Sequence, residues 1–139
     1  MTHEMPMALS LIACDTIIED KQTGKKTLVG LCDRIYSSKF PCLHPMLSVY
    51  VSLTSGHGEN ACEIICRHND YQTVAFTAQG NISFREPVQV VDLVFRVRNV
   101  RFVKAGVYWL QFLVDQMPLV VRPLIVEQLP PKENKKETD

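Results

Sequence analysis

Net charge is the first thing this chain lacks. Its 139 residues carry 15 basic and 15 acidic side chains, so no global field gathers nucleic acid, anionic lipid or an acidic substrate. Long apolar runs are lacking too. The segment M-T-H-E-M-P-M has no Lys or Arg, and the apolar stretch behind it stops at Asp15. That fits neither an export signal nor a membrane span. No stretch holds apolar residues at i, i+3, i+4 and i+7, so no long helix is expected. The chain has no G-x-S-x-G elbow, no G-x-x-x-x-G-K-[ST] cradle and no H-E-x-x-H pair, which removes three common signatures of catalysis. Cysteines number five. An odd count without framework spacing points to reduced thiols and a cytoplasmic protein.

What is present is alternation with a period of two, broken by turn chemistry, the mark of a sandwich or barrel. Strands are expected near 7–18, 27–36, 46–54, 61–67, 72–77, 89–98, 107–114 and 119–127. The chain then reads as one domain over 1–127, an all-β antiparallel sandwich of seven to nine strands, immunoglobulin-like or C2-like. The polar run L-P-P-K-E-N-K-K-E-T-D marks 128–139 as a disordered tail. In 47–54, Leu47, Val49, Val51 and Leu53 share one face. Cys62, Ile64 and Cys66 do the same on the next strand. A hairpin between the two strands keeps Glu63 and Arg67 out of the core only if Leu53 meets Cys62 and Val49 meets Cys66.

That register bears on metal binding. C-x-H steps occur at Cys42/His44 and Cys66/His68, the ligand types of a tetrahedral zinc site. The first pair has the opposite face parity from the second unless Pro45 breaks its strand, so no zinc and no other cofactor is expected. Cys62 and Cys66 read as small buried hydrophobes. Asp15 and Asp33 have no histidine placed beside them and read as strand-end or ion-paired carboxylates, so no catalytic residue is assigned. R-V-R-N-V-R-F-V-K, 96–104, is basic but lacks an interleaved aromatic platform, which argues against nucleic acid. H-G-E-N and H-N-D hold too few acidic side chains for calcium-dependent membrane docking.

The order A-C-D-T-I-I-E-D, T-G-K-K-T-L-V-G-L-C-D-R-I-Y, F-P-C-L-H-P-M-L-S-V-Y-V, A-G-V-Y-W-L-Q-F-L-V-D and R-P-L-I-V, spanning 8–127, resembles a family of small bacterial proteins known only as a domain of unknown function. The resemblance implies a single β-sandwich and no activity. The expected role is a cytoplasmic, non-enzymatic binding or scaffold module; the alternative is a small-ligand binder or enzyme with a loop-end pocket. Pairing Phe95 with Leu110 and Val97 with Tyr108 buries all four. It also sets Arg96 opposite Trp109 on the outer face. Continuing through D-Q-M-P adds Leu113 beside Val120 and Trp109 beside Leu124, with Val94 alongside. An apolar patch of Val94, Trp109, Leu113, Val120 and Leu124, rimmed by Arg96, predicts a homodimer or protein-partner interface. The competing reading is that the N-terminal segment or a loop folds over it.

Overall fold

The computed structural model describes residues 5–130. Nine strands occur in it: β1 Met7–Glu19, β2 Lys26–Leu31, β3 Arg34–Ser37, β4 Cys42–Thr54, β5 Gly58–His68, β6 Val74–Phe84, β7 Val91–Phe102, β8 Gly106–Val114 and β9 Met117–Gln128. They form a four-stranded sheet in the order β2-β1-β4-β7 and a five-stranded sheet in the order β3-β9-β8-β5-β6. The chain crosses between layers after β2, β3, β4, β6 and β7. The trio β9-β8-β5 faces the β4-β7 pair, and β3 lies parallel to β9. This is the strand arrangement of an immunoglobulin-like sandwich. No helix is present among the described residues.

Two expected hairpins are therefore wrong. β4 and β5 lie in opposite sheets, as do β7 and β8. The reason lies in the connections. Gly56 is buried, and a Cβ on it would overlap the Phe84 ring, so the chain passes through the sandwich edge there instead of turning back. Gly106, at φ 134°, lies so close to His68 that a Cβ would collide with its ring. Cys62 and Cys66 still point inward, into the same core cluster as Leu53 and Val49 but from the opposite sheet. The expected strand 27–36 is split. Cys32 N–H donates to Ala13 O at 2.8 Å, and Asp33 O accepts from Ile125 N–H at 3.1 Å, so the chain changes sheets between these residues. β6 runs on through Gly80 to Phe84, past the expected end at Thr77. Gly80 sits opposite Cys62, with Phe95 as its other close neighbour.

The core is built from alternate residues of both sheets. Leu47, Val49, Val51 and Leu53 of β4 face Ile64, Cys66, Leu110, Phe112, Val114 and Leu124, all essentially without solvent contact. β4 and β7 change parity together at Pro45 and Asn99, the latter at φ 55°. Beyond that point Cys42 pairs with Phe102 and His44 with Val100. Since Phe102 and Val100 are core residues, Cys42 and His44 face inward. Their expected outward parity is corrected by this shared break. β9 continues through Gln128, and Leu129 N–H donates to Ser37 O at 2.9 Å, so order extends past 127. The rest of the expected tail, from 131 on, lies outside the described residues.

The outer face of the four-stranded sheet is roofed by the chain itself. Lys26 pairs with Glu19 at one end of β1, whereas Asp92 aligns through Ser52 with Ser10 near the other. A straight strand would separate these ends by about 30 Å. Yet Lys26 Nζ sits 3.0 Å from Asp92 Oδ1. β1 must therefore bend after Cys14 and carry its hairpin with β2 back across the sheet. Arg96 donates to Ile17 O at 3.1 Å from below, and Ser48 Oγ to Asp15 O at 3.4 Å. Tyr50 Oη donates to Asp92 Oδ2 at 3.1 Å. Cys14, Ser48 and Ser52, all on this outer face, are buried as a result.

Gly56→Ala should cost about 1–3 kcal/mol by overpacking. Gly24→Ala, at φ 73° with no atom within 4 Å of the added Cβ, should cost about 1 kcal/mol from backbone strain alone. Urea midpoints of the two variants check this; equal losses would mean the Phe84 overlap is relieved at no cost.

Candidate functional site

Among the described residues, the five-stranded sheet has no such roof. Along β8, buried Tyr108, Leu110, Phe112 and Val114 alternate with Val107, Trp109, Gln111 and Leu113, which turn outward and are half-buried. Register aligns neighbours on this outer face in rows across the sheet. One row is Glu63, Leu113 and Pro118; the next is Ile65, Gln111 and Val121; the third is Arg67, Trp109 and Pro123. Ile125 continues the apolar surface beside Arg34 of β3. Val121 is 49% exposed. Trp109 Nε1 donates to Asn69 Oδ1 at 3.1 Å, which ties the indole to the β5–β6 turn. A hollow of about 260 Å³ opens beside it, lined by Arg67, His68, Tyr71, Trp109, Gln111 and Val121.

The turn beneath the hollow is rigidly wired. Asp70 Oδ1 accepts from the N–H groups of Gln72 and Thr73 at 2.8 and 2.9 Å. Its other oxygen accepts from Thr73 Oγ1 at 2.9 Å and pairs with Lys104 Nζ. Lys104, then these N–H groups, hold the Asp70 carboxyl well below the ordinary carboxylate range. His68 Nδ1 accepts from Asp70 N–H at 2.9 Å, so its Nε2 carries the proton that Ala105 O accepts at 3.1 Å. The imidazole stacks edge-on against Tyr108, centroids 4.9 Å apart.

The expected patch is divided among three surfaces. Trp109 and Leu113 do lie on the outer face of the C-terminal sheet. Val94 and Arg96 belong to the other sheet, on the face that the β1–β2 hairpin crosses, where Arg96 stays exposed and aligns with Ser48, not Trp109. Val120 and Leu124 face the core, opposite Phe112 and Tyr108. The error arises in the turn. Asp115 and Gln116, at φ 48° and 70°, close a two-residue hairpin. The bulge that follows leaves Leu119 unpaired and shifts the register between Phe112 and Leu113. Sequence reading missed Ile65, Val121, Pro123 and Ile125; the parity of β5 alone would have found Ile65.

Cys42, His44, Cys66 and His68 all lie toward the same end of the core, and burial pushes the Cys66 thiol up to about 12. Burial likewise lifts Cys62 to about 11. Such thiols are poor nucleophiles and poor ligands. Among the described residues, no three His, Cys, Asp or Glu side chains are grouped to hold a metal ion. His44 Nε2 is buried with no hydrogen-bond partner among the described residues.

Comparison with known proteins gives a family but no activity. Residues 9–127 match the model of a family described as "Family of unknown function (DUF6941)". No curated protein matches. Among solved structures, the CARDB domain of a Pyrococcus furiosus protein, determined in complex with di-metal ions, is 15% identical. The match covers 93% of this chain and 100% of that one, at a TM-score of 0.40.

Because the folded Asp70 carboxyl binds its proton less tightly than the unfolded one, the stability it contributes is present above pH 3.8 and lost as pH falls below it. Asp70→Asn should therefore be less stable than wild type at neutral pH and lose less between pH 5 and 2. Thermal unfolding across that range checks the sign.

Proposed function

The chain belongs to the DUF6941 family, which assigns no activity, and we propose that it is a non-enzymatic binding module that docks a protein on the outer face of its five-stranded sheet. One observation carries the reading. The chain roofs the outer face of its other sheet, yet leaves Ile65, Trp109, Leu113, Val121, Pro123 and Ile125 together on this one. A contiguous apolar face rimmed by Arg67 and Glu63 has the composition of an interface, and tryptophan is the residue type most enriched at binding hot spots.

Several features favour a docking role over a catalytic one. The buried thiols are held protonated. Both ring nitrogens of His68 are engaged by backbone groups. A hollow of about 560 Å³ around Ala61, Glu63, Asn81 and Asp115 opens on the surface of the same sheet. Arg96, which a nucleic-acid strip would need, donates to Ile17 O. No helix among the described residues is long and apolar enough to cross a membrane, and the free thiols suit a reducing compartment such as the cytoplasm.

A photo-crosslinking amino acid placed at Val121 should form protein adducts in cells, and one at Thr27 on the roof should not. Adducts at Thr27 alone, or a small molecule retained by the purified protein in native mass spectrometry, would overturn the docking role.

A further inference from the structure

From the distribution of charge on this face, and resting on the docking role just proposed, we infer that the occupant is a second copy of this chain, packed face to face about a two-fold axis that crosses the strands at Ile65, Gln111 and Val121. Those three residues form one cross-strand row. On one side of the row stand Glu63 and Leu113; on the other, in the same strands, stand Arg67 and Trp109. A two-fold lying in the interface along the row exchanges the two sides. It lays Glu63 on the partner's Arg67, and Arg67 on the partner's Glu63. It also lays Leu113 on the partner's Trp109, beside the hollow that Arg67, Trp109 and Val121 line. Ile65 and Val121 meet their own copies at the axis. Apolar groups thus fall on apolar groups and each charge on its opposite, as an isologous interface requires.

The charges are available for this. Glu63 and Arg67 lie four residues apart on one face of a strand, about 13 Å along the backbone, and neither is engaged in an ion pair among the described residues. An axis parallel to the strands and between β5 and β8 would place Leu113 against a glutamate and Trp109 against an arginine; one along β8 would set Glu63 against Pro118 and Arg67 against Pro123, leaving both charges without an opposite. The area also suffices. Strands β5, β6, β8 and β9, of 9 to 12 residues, and the four-residue β3, at a spacing of about 4.8 Å, give a face of roughly 700 Å², close to one side of a standard interface.

Sedimentation equilibrium should show a species of twice the 15.8 kDa chain mass in the micromolar range. Glu63→Arg and Arg67→Glu should each weaken the dimer by about tenfold or more, because each sets like charges against one another. The double variant should regain wild-type association, since reversed charges again meet their opposites across the axis. Circular dichroism shows whether each variant is folded. A wild-type chain that stays monomeric throughout this range overturns the second copy. If Val121 nevertheless crosslinks to a different protein, the docking face survives with another occupant. A dimer that ignores both charge reversals, or a double variant no better than the singles, overturns the axis.

Discussion

The exposed surface of this protein depends on the point at which β1 leaves its partner. As far as Cys14 it is an ordinary sheet strand beside β4; beyond it, the strand bends and takes β2 across the sheet. The bend is held by groups contributed from below: Arg96 to Ile17 O, Ser48 to Asp15 O, and Asp92 joined to both Lys26 and Tyr50. A sandwich has two outer faces, and one core satisfies neither. The described residues cover one with their own backbone and leave the other without such a roof.

Much of the fold was legible because parity is local. Alternation along β4, β5 and β8 placed Leu47, Val49, Cys62, Cys66, Tyr108 and Leu110 inside, and all are buried. Pairing was not legible in the same way. A strand whose inner face is apolar is satisfied equally by a hairpin neighbour or by the opposite sheet, so Leu53 and Cys62 fit both as ladder partners and as contacts across the core. The decision lay in Gly56 and Gly106, whose neighbours Phe84 and His68 come from distant sequence.

The site suffered from the same limit. Trp109 and Leu113 were assigned to the correct face by parity within β8, while Val120 and Leu124 were misplaced because one bulge reverses every side chain beyond it. Val94 and Arg96 lost their expected partners once β7 proved to lie in the other sheet. A bulge and a change of layer are both set by tertiary packing. The zinc question shows the converse: Pro45 did break parity, yet the inward turn of Cys42 and His44 gathers no metal-binding group among the described residues.

The parallel contact between β3 and β9 joins distant parts of the chain. Arg34 meets Glu127 across 93 residues of chain, and Arg122 reaches back to Asp33 and Leu11 O at the same margin. Pairings of such long separation form slowly, because the loop must close before any contact rewards it. During synthesis β3 emerges early, and its neighbour is the last of the described strands. Until then one margin of the sheet stands open. Once β9 arrives, residues of the parity that bonds to β3 aim their backbone groups outward along its unpaired first half, and there Pro123 supplies no N–H. The finished edge is thus protected against strand addition by a residue that forms no ladder bond of its own.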